Sequence, residues 1–247
     1  MTKTTSTSEI LLRVADELVA ERAFTDSMRF IRLFQSVFMK TDLSGKSLLD
    51  VGCGVGALAL GSAASGVRHA VGLEPEVDGS TSGFFCTGER LIKSLGFSNV
   101  SIRNNMLANY DFDESPFDVI VMYNVINHLN EEACSRILTS DEARTLYIQQ
   151  LSHLREYISP GGEMLVADCA RSNFFGDLGI RNPIAKTIEW QKHQNPRIWA
   201  SIFEEAGFSS TEFWWNPIHK LRGFGRFART SAIAYFTNSH FVLRAVK

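Results

Sequence analysis

The chain has 247 residues, enough for one α/β domain with a full core and a modest insertion. Hydrophobic residues make up 45% and the formal charge is −2, which argues against a general nucleic-acid binder. The four cysteines (Cys53, Cys86, Cys134, Cys169) form no CxxC pair, so they read as free thiols of a reducing, cytoplasmic compartment, with no metal site or disulfide framework.

Residues Met1 to Glu9 are polar and lack the apolar stretch of a signal peptide, and no segment approaches membrane-spanning length. Ile10, Leu11, Val14, Leu18 and Val19 then recur at helical spacing. A second helical segment carries Phe24, Phe30, Phe34 and Phe38. The two are expected to form an N-terminal helical cap over residues 1–40, part core and part lid, ahead of a main domain at 41–247.

The rest of the chain is organised around the stretch Ser47 to Leu60. The apolar run Ser47 to Val51 reads as a buried strand ending in an acid, Asp50, and Gly52, Gly54 and Gly56 come after it at alternate positions. Ala57 to Leu60 opens a helix. Strand, glycine turn and helix start make a nucleotide-binding corner: glycine turns sharply and admits a ligand close to the backbone, and the free N–H groups of the helix start point at it. Gly52-x-Gly54-x-x-Ala57 fits a dinucleotide site, and Asp50-x-Gly52-x-Gly54-x-Gly56 fits a methyl-donor site. A carboxylate repels a pyrophosphate and attracts an ammonium or sulfonium, so Asp50 favours the second.

Ala70 to Leu73 forms the next strand, ending in Glu74-Pro75, a carboxylate with two acceptor oxygens suited to two ribose hydroxyls. Residues 76–87 read as a loop and Glu89 to Leu95 as a helix stopped by Gly96. Val100 to Arg103 is a short strand, and Asn105 and Met106 beyond it offer an amide and a thioether to an adenine. Phe117 to Tyr123 is the clearest later strand, leading into Tyr123, Asn124 and His128. Tyr123 and Asn124 are expected to line the pocket, and His128 is the first candidate for a general base. Thr139 to Glu142 has the form of a capping box, and a helix runs from there to about Tyr157. Glu163 to Asp168 reads as a strand whose terminal carboxylate, Asp168, is the second base candidate.

The pieces LLDVGCGVG, VGLEPE, FDVIVMYNVINHL, SPGGEMLVAD and FEEAGF occur in the order and at the spacing of one family. From about residue 45 to its end the chain resembles class I S-adenosylmethionine-dependent methyltransferases. The resemblance implies a Rossmann-like, seven-stranded, mostly parallel sheet with helices on both faces and an antiparallel strand 7. Ser210 to Trp215 would be strand 6 and Ser239 to Val246 strand 7. It also implies S-adenosylmethionine as cofactor, with S-adenosylhomocysteine as product. Asp50, Gly52 and Gly54 would hold the methionine end, Glu74 the ribose, and Asn105 and Met106 the adenine, with Cys53 and Pro75 also in the cofactor site. The family supplies no universal catalytic residue, so His128 and Asp168 rest on position alone.

Acceptor choice is expected from the N-terminal helices and from insertions near 171–197 and 217–230. The first insertion carries Phe174, Phe175, Trp190, His193 and Trp199, candidates for an aromatic pocket. The second interleaves His219, Lys220, Arg222, Arg226 and Arg229 with Leu221, Phe224 and Phe227, a pattern for contact with a membrane surface or a lipid-linked substrate. The expected reaction is methyl transfer to a hydroxyl oxygen of a small molecule such as a sugar or secondary metabolite, by in-line displacement, with no metal. Alternatives are N- or C-methylation on the same fold, an NAD(P)-dependent oxidoreductase, and a non-catalytic methyltransferase-like binding subunit.

Overall fold

The computed structural model describes residues 6–76, 83–110, 116–183, 185, 188–216 and 229–247. Of the basic stretch 217–230 expected to contact a membrane surface, residues 217–228 lie outside the described residues. The strands run β1 (Ser47–Val51), β2 (His69–Leu73), β3 (Val100–Arg103), β4 (Phe117–Tyr123), β5 (Ile158–Cys169), β6 (Ser210–Trp215) and β7 (His240–Val246). They form a seven-stranded sheet of order β3-β2-β1-β4-β5-β7-β6. The pairs β1–β2, β1–β4 and β2–β3 are parallel, whereas β7 runs antiparallel to both β5 and β6. This is the sheet expected from the sequence. Among the described residues no helix is long and apolar enough to cross a membrane.

The chain divides into two units, Met1–Met122 and Tyr123–Lys247. In the first, every residue of β1 is buried, as a central parallel strand covered on both faces requires. Its start is tied to that of β4: the Ser47 backbone N–H and hydroxyl both donate to Asp118 Oδ2, at 2.8 and 3.0 Å. Register sets Asp50 opposite Gly72 of β2 and Val121 of β4. The strand order reverses between β2 and β4 on either side of β1, so the carboxyl ends of β1 and β4 border the place where such sheets bind ligands.

Helices α1 (Thr7–Ala20), α2 (Ser27–Val37), α3 (Ala57–Ala64) and α4 (Phe84–Leu95) belong to this unit. A capping box starts α1: Glu9 N–H donates to Ser6 Oγ while Ser6 N–H donates to the Glu9 carboxylate. Leu11, Val14 and Leu18 are buried on one face of α1, and Phe30, Phe34 and Phe38 form a tilted ring stack along α2. The rings lie on α3 at Gly61, where an added Cβ would stand 2.7 Å from two Phe34 carbons and 3.0 Å from Phe30. A side chain at 61 would therefore push the two helices apart. The exposed edge of α1 is held to α4 by Arg13 donating to the Ser94 carbonyl and by the Arg90–Glu21 ion pair at 2.9 Å.

Helix α4 begins five residues earlier than the sequence predicts. Gly83, at φ +89°, is its N-cap, and its N–H donates to Glu76 Oε1 at 3.0 Å. The abundance of Gly, Ser and Thr before it masks the apolar start Phe84-Phe85-Cys86.

In the second unit, α5 (Glu131–Arg136), α6 (Asp141–Glu156), the single-turn α7 (Phe174–Asp177), α8 (Pro196–Glu205) and α9 (Ser231–Tyr235) accompany β5, β7 and β6. Trp199, Ile202 and Phe203 share the buried face of α8, and Trp199 meets Tyr147 of α6 edge-on at 5.1 Å. Trp199 is thus core. Near one end of the antiparallel strands Arg244 bridges buried Glu163 and Glu212 across β5, β7 and β6.

Candidate active site

The corner after β1 is built as its glycines foretell. Gly52, Gly54 and Gly56 take φ values of +66°, +57° and +78°. A side chain at Gly56 would also collide with Ile102, whose Cδ1 lies 2.6 Å from the Cβ position. The turn is pinned to β2 twice: Cys53 N–H donates to the Leu73 carbonyl at 2.9 Å and Gly54 N–H to Glu74 Oε2 at 2.8 Å. Glu74 therefore sits buried against the glycine turn, with burial raising its pKa and the Gly54 N–H opposing the rise. Cys53 is buried against Gly72, and burial together with the Asp50 and Glu74 charges keeps its thiol protonated.

Asp50 is 1% exposed, and its Oδ2 has no hydrogen-bond partner among the described residues. Burial, reinforced by the Glu74 charge and opposed by the Ala59 N–H of α3, pushes its carboxyl up from 3.8 to about 7. An orphaned buried acceptor beside a second carboxylate fits a ligand that brings N–H or O–H donors or positive charge. It does not fit a phosphate, which would add negative charge to negative charge.

At the end of β3, Asn104 Oδ1 accepts from Glu76 N–H at 2.9 Å, tying that strand's end to the residues after Glu74-Pro75. Asn105 is partly exposed, with its Nδ2 3.4 Å from the Asn109 carbonyl, and Met106 is 47% exposed. Asp50, Gly52, Cys53, Gly54, Glu74, Pro75, Asn105 and Met106 all lie in the first unit.

Tyr123, Asn124, His128 and Asp168 lie in the second. Tyr123 packs against His240 with ring centroids 5.7 Å apart. Asn124 takes a left-handed φ of +56°, which its short amide side chain tolerates, and its N–H donates to the Ala167 carbonyl at 2.8 Å. His128 stands in a 3-10 turn, Ile126–Leu129, with its side chain 57% exposed. Its Nδ1 lies 2.7 Å from Glu131 Oε1, and Lys192 holds the other oxygen of that carboxylate at 2.9 Å. The two partners draw the Glu131 pKa down, Lys192 most.

Asp168 is fully buried near the end of β5, its Oδ1 accepting from Cys169 N–H at 2.7 Å. Its carboxylate faces His193 Nδ1 at 3.1 and 3.2 Å. The His193 side chain is only 12% exposed. The next residues hold this segment in place: Gln194 Nε2 donates to the Cys134 carbonyl at 2.6 Å, and Asn195 exchanges hydrogen bonds with Ser172. With Nδ1 committed to a carboxylate, the imidazole presents Nε2 as its proton acceptor. The sequence points to each of these two residues but does not pair them. Nothing in their spacing joins them, because the contact depends on the 171–197 segment returning to the end of β5. Among the described residues no group of three or more His, Cys, Asp or Glu side chains forms a metal cage.

Comparison with known proteins converges on one family. A family model described as a methyltransferase domain matches residues 20–212, more than half of the chain. No curated protein sequence matches. A solved S-adenosylmethionine-dependent methyltransferase from Aquifex aeolicus is similar at 14% identity and TM-score 0.55, covering 87% of this chain and 91% of its own. A possible histamine N-methyltransferase from Thermotoga maritima is 18% identical over 98% of this chain and 99% of its own, with TM-score 0.55. Magnesium protoporphyrin IX methyltransferase from Synechocystis, solved with S-adenosylhomocysteine, is 16% identical over 89% and 82%, with TM-score 0.53. With the strand order, the glycine corner and its two carboxylates already in place, the chain belongs to the methyltransferase-domain family, on the class I S-adenosylmethionine-dependent architecture.

Proposed function

We propose that this protein transfers a methyl group from S-adenosylmethionine to a hydroxyl oxygen of a small molecule. The observation that carries the choice of oxygen is the buried Asp168 carboxylate on His193 Nδ1. A hydroxyl is a weak nucleophile until its proton leaves, whereas an amine is already nucleophilic when neutral. An imidazole oriented by a carboxylate is suited to that proton: Nε2 accepts it, and the Asp168 charge stabilises the imidazolium that forms. The bound donor supplies a methyl group on a sulfonium that departs as a neutral thioether. His128, exposed and engaged by Glu131, is the second base candidate. Residues 1–40 form a helical cap on the methyltransferase domain 41–247.

On the donor side, the proposal gives Asp50 the ammonium of the methionine end, with Gly52, Cys53 and Gly54 as its floor. Glu74 and Pro75 take the ribose, Asn105 and Met106 the adenine, and Tyr123 and Asn124 the pocket wall. Asp50 makes this testable by pH. A cation seated beside it favours the ionised form, so binding expels the proton that burial retains up to about pH 7. Affinity for S-adenosylhomocysteine, measured by titration calorimetry, rises between roughly pH 6 and 8 and then levels. Asp50→Asn flattens that rise. It also stabilises the ligand-free protein: a folded-state pKa above the unfolded one means that wild-type stability falls as pH climbs from 3.8 to about 7. The expected gain at pH 8, by thermal melting, is roughly 1–3 kcal/mol. A wild-type affinity independent of pH would remove Asp50 from the donor contact.

The reaction itself is tested with methyl-labelled S-adenosylmethionine and a library of hydroxylated and aminated small molecules. Label recovered as an ether supports the proposal. Label recovered only on nitrogen or carbon overturns it.

A further inference from the structure

The second unit contains a cavity of about 570 Å3, well inside the range of roughly 300–1,000 Å3 typical of small-molecule sites. One wall is Phe213 and Trp215, which alternate on the same face of β6 while Trp214 between them is buried on the other. Their rings stand 6.0 Å apart at 82°. The opposing residues are Tyr235 and Phe236 at the end of α9, in edge contact at 5.2 Å. Phe236 leaves 57% of its surface in water, an unfavourable position for so large an apolar side chain unless something covers it. The Tyr235 hydroxyl is engaged by the Asp177 carboxylate, which fixes its ring and raises its pKa.

One side chain in this lining carries a cation. Arg197 is exposed and makes no ion pair or hydrogen bond with any described residue. It occupies the first turn of α8, where the helix dipole opposes a positive charge. The same helix start has no side-chain cap, because the N-cap residue Asn195 directs its amide to Ser172: Oδ1 accepts from Ser172 N–H at 3.1 Å and Nδ2 donates to Ser172 Oγ at 3.2 Å. An unpaired guanidinium at an uncapped helix start, beside four aromatic rings, lacks one thing, a flat ligand with an anionic group.

The Ser172–Asn195 bridge also relates the cavity to the proposed base. Asp168 and Ser172 lie on one strand-end segment and His193 and Asn195 on another, and the two segments touch at both positions. Ser172 and Asn195 of the cavity lining thus stand a few residues along the chain from Asp168 and His193, on the same two touching segments.

We propose that this cavity binds the methyl acceptor, and that the acceptor is an aromatic carboxylate bearing a hydroxyl. The ring lies between Phe213–Trp215 and Tyr235–Phe236, and the carboxylate meets Arg197 at the start of α8. This assignment rests on the reading of the protein as a hydroxyl-directed methyltransferase and narrows its substrate class.

The test compares 4-hydroxybenzoate with its neutral isostere 4-hydroxybenzamide, followed by calorimetry and tryptophan fluorescence on the full chain without donor. The acid binds about tenfold tighter than the amide. Arg197→Gln abolishes that preference and leaves amide affinity unchanged, whereas Phe236→Ala weakens both ligands. Both side chains are exposed, so neither substitution disturbs the core. Equal binding of acid and amide, no binding of either, or an unaltered preference in Arg197→Gln overturns the assignment. The two proposals fail separately. Acid-selective binding with label found only on nitrogen removes the hydroxyl reading and leaves the cavity. Ether formation on neutral acceptors without acid selectivity removes the cavity and leaves the reaction.

Discussion

Glu74→Ala is expected to weaken S-adenosylhomocysteine binding at least about a hundredfold. A carboxylate at the end of β2 can accept from two ribose hydroxyls, and each hydrogen bond to a charged group contributes about 1.5–3 kcal/mol. The same side chain accepts from Gly54 N–H at 2.8 Å, so its removal also releases the glycine turn. The loss should appear in binding and not in folding. Burial raises the Glu74 pKa, so the ionised group is held at some cost and its deletion leaves no orphaned charge. Glu74→Gln, which keeps the shape and one acceptor oxygen, should fall between, at about tenfold. Calorimetry on the three proteins, with melting curves to confirm that each is folded, decides the matter. Affinity in Glu74→Ala within about threefold of wild type would exclude Glu74 from the donor site.

The second large effect belongs to the Asp168–His193 pair. His193→Ala should lower kcat by about 10²–10⁴-fold, the usual contribution of a general base, with donor affinity unchanged. Asp168→Asn should also cost rate, because an amide neither stabilises the imidazolium nor fixes the tautomer that presents Nε2. Added imidazole should restore part of the His193→Ala rate by supplying the missing base, a rescue that a merely structural histidine would not show. His128→Ala is the control. If it, and not His193→Ala, removes the rate and is rescued by imidazole, the base is His128 and its carboxylate partner is Glu131.

The fold is legible in the sequence where information is local. Ser47 to Leu60 carries its own instructions, an apolar run, glycines at positions of positive φ and a helical pattern, and it folds as read. Strand β6 occupies Ser210–Trp215 as the family resemblance implies, and its aromatic residues suit a pleated strand. Composition misleads where two signals compete. The Gly- and Ser-rich approach to α4 hides its first turn. The sequence starts the strand at Glu163, after Ser159-Pro160-Gly161-Gly162 has ended the helix, yet β5 already begins at Ile158, with Lys247 donating from its N–H to the Gly162 carbonyl and from Nζ to the Ile158 carbonyl. Trp199 is ambiguous in the sequence between pocket and core, although Trp199, Ile202 and Phe203 at helical spacing already favour the core. The position of Asp50, Glu74 and Asn105 at or just beyond the ends of β1, β2 and β3 is readable because strand ends follow from the order of the elements. The Asp168–His193 contact is not, since it joins segments whose approach is decided only by tertiary packing.

The aromatic stack of α2 lying over Gly61 also bears on how the protein is made. A polypeptide starting at residue 41 would lack Phe30, Phe34, Leu11, Val14 and Leu18, all buried here. It would leave the glycine face of α3 bare, a contiguous apolar surface of the kind that drives association during folding. On a ribosome those helices emerge before the strands they cover, so the cover is synthesised first and waits for its core. Whatever they contribute at the active site, they also shield the nascent sheet during its own assembly.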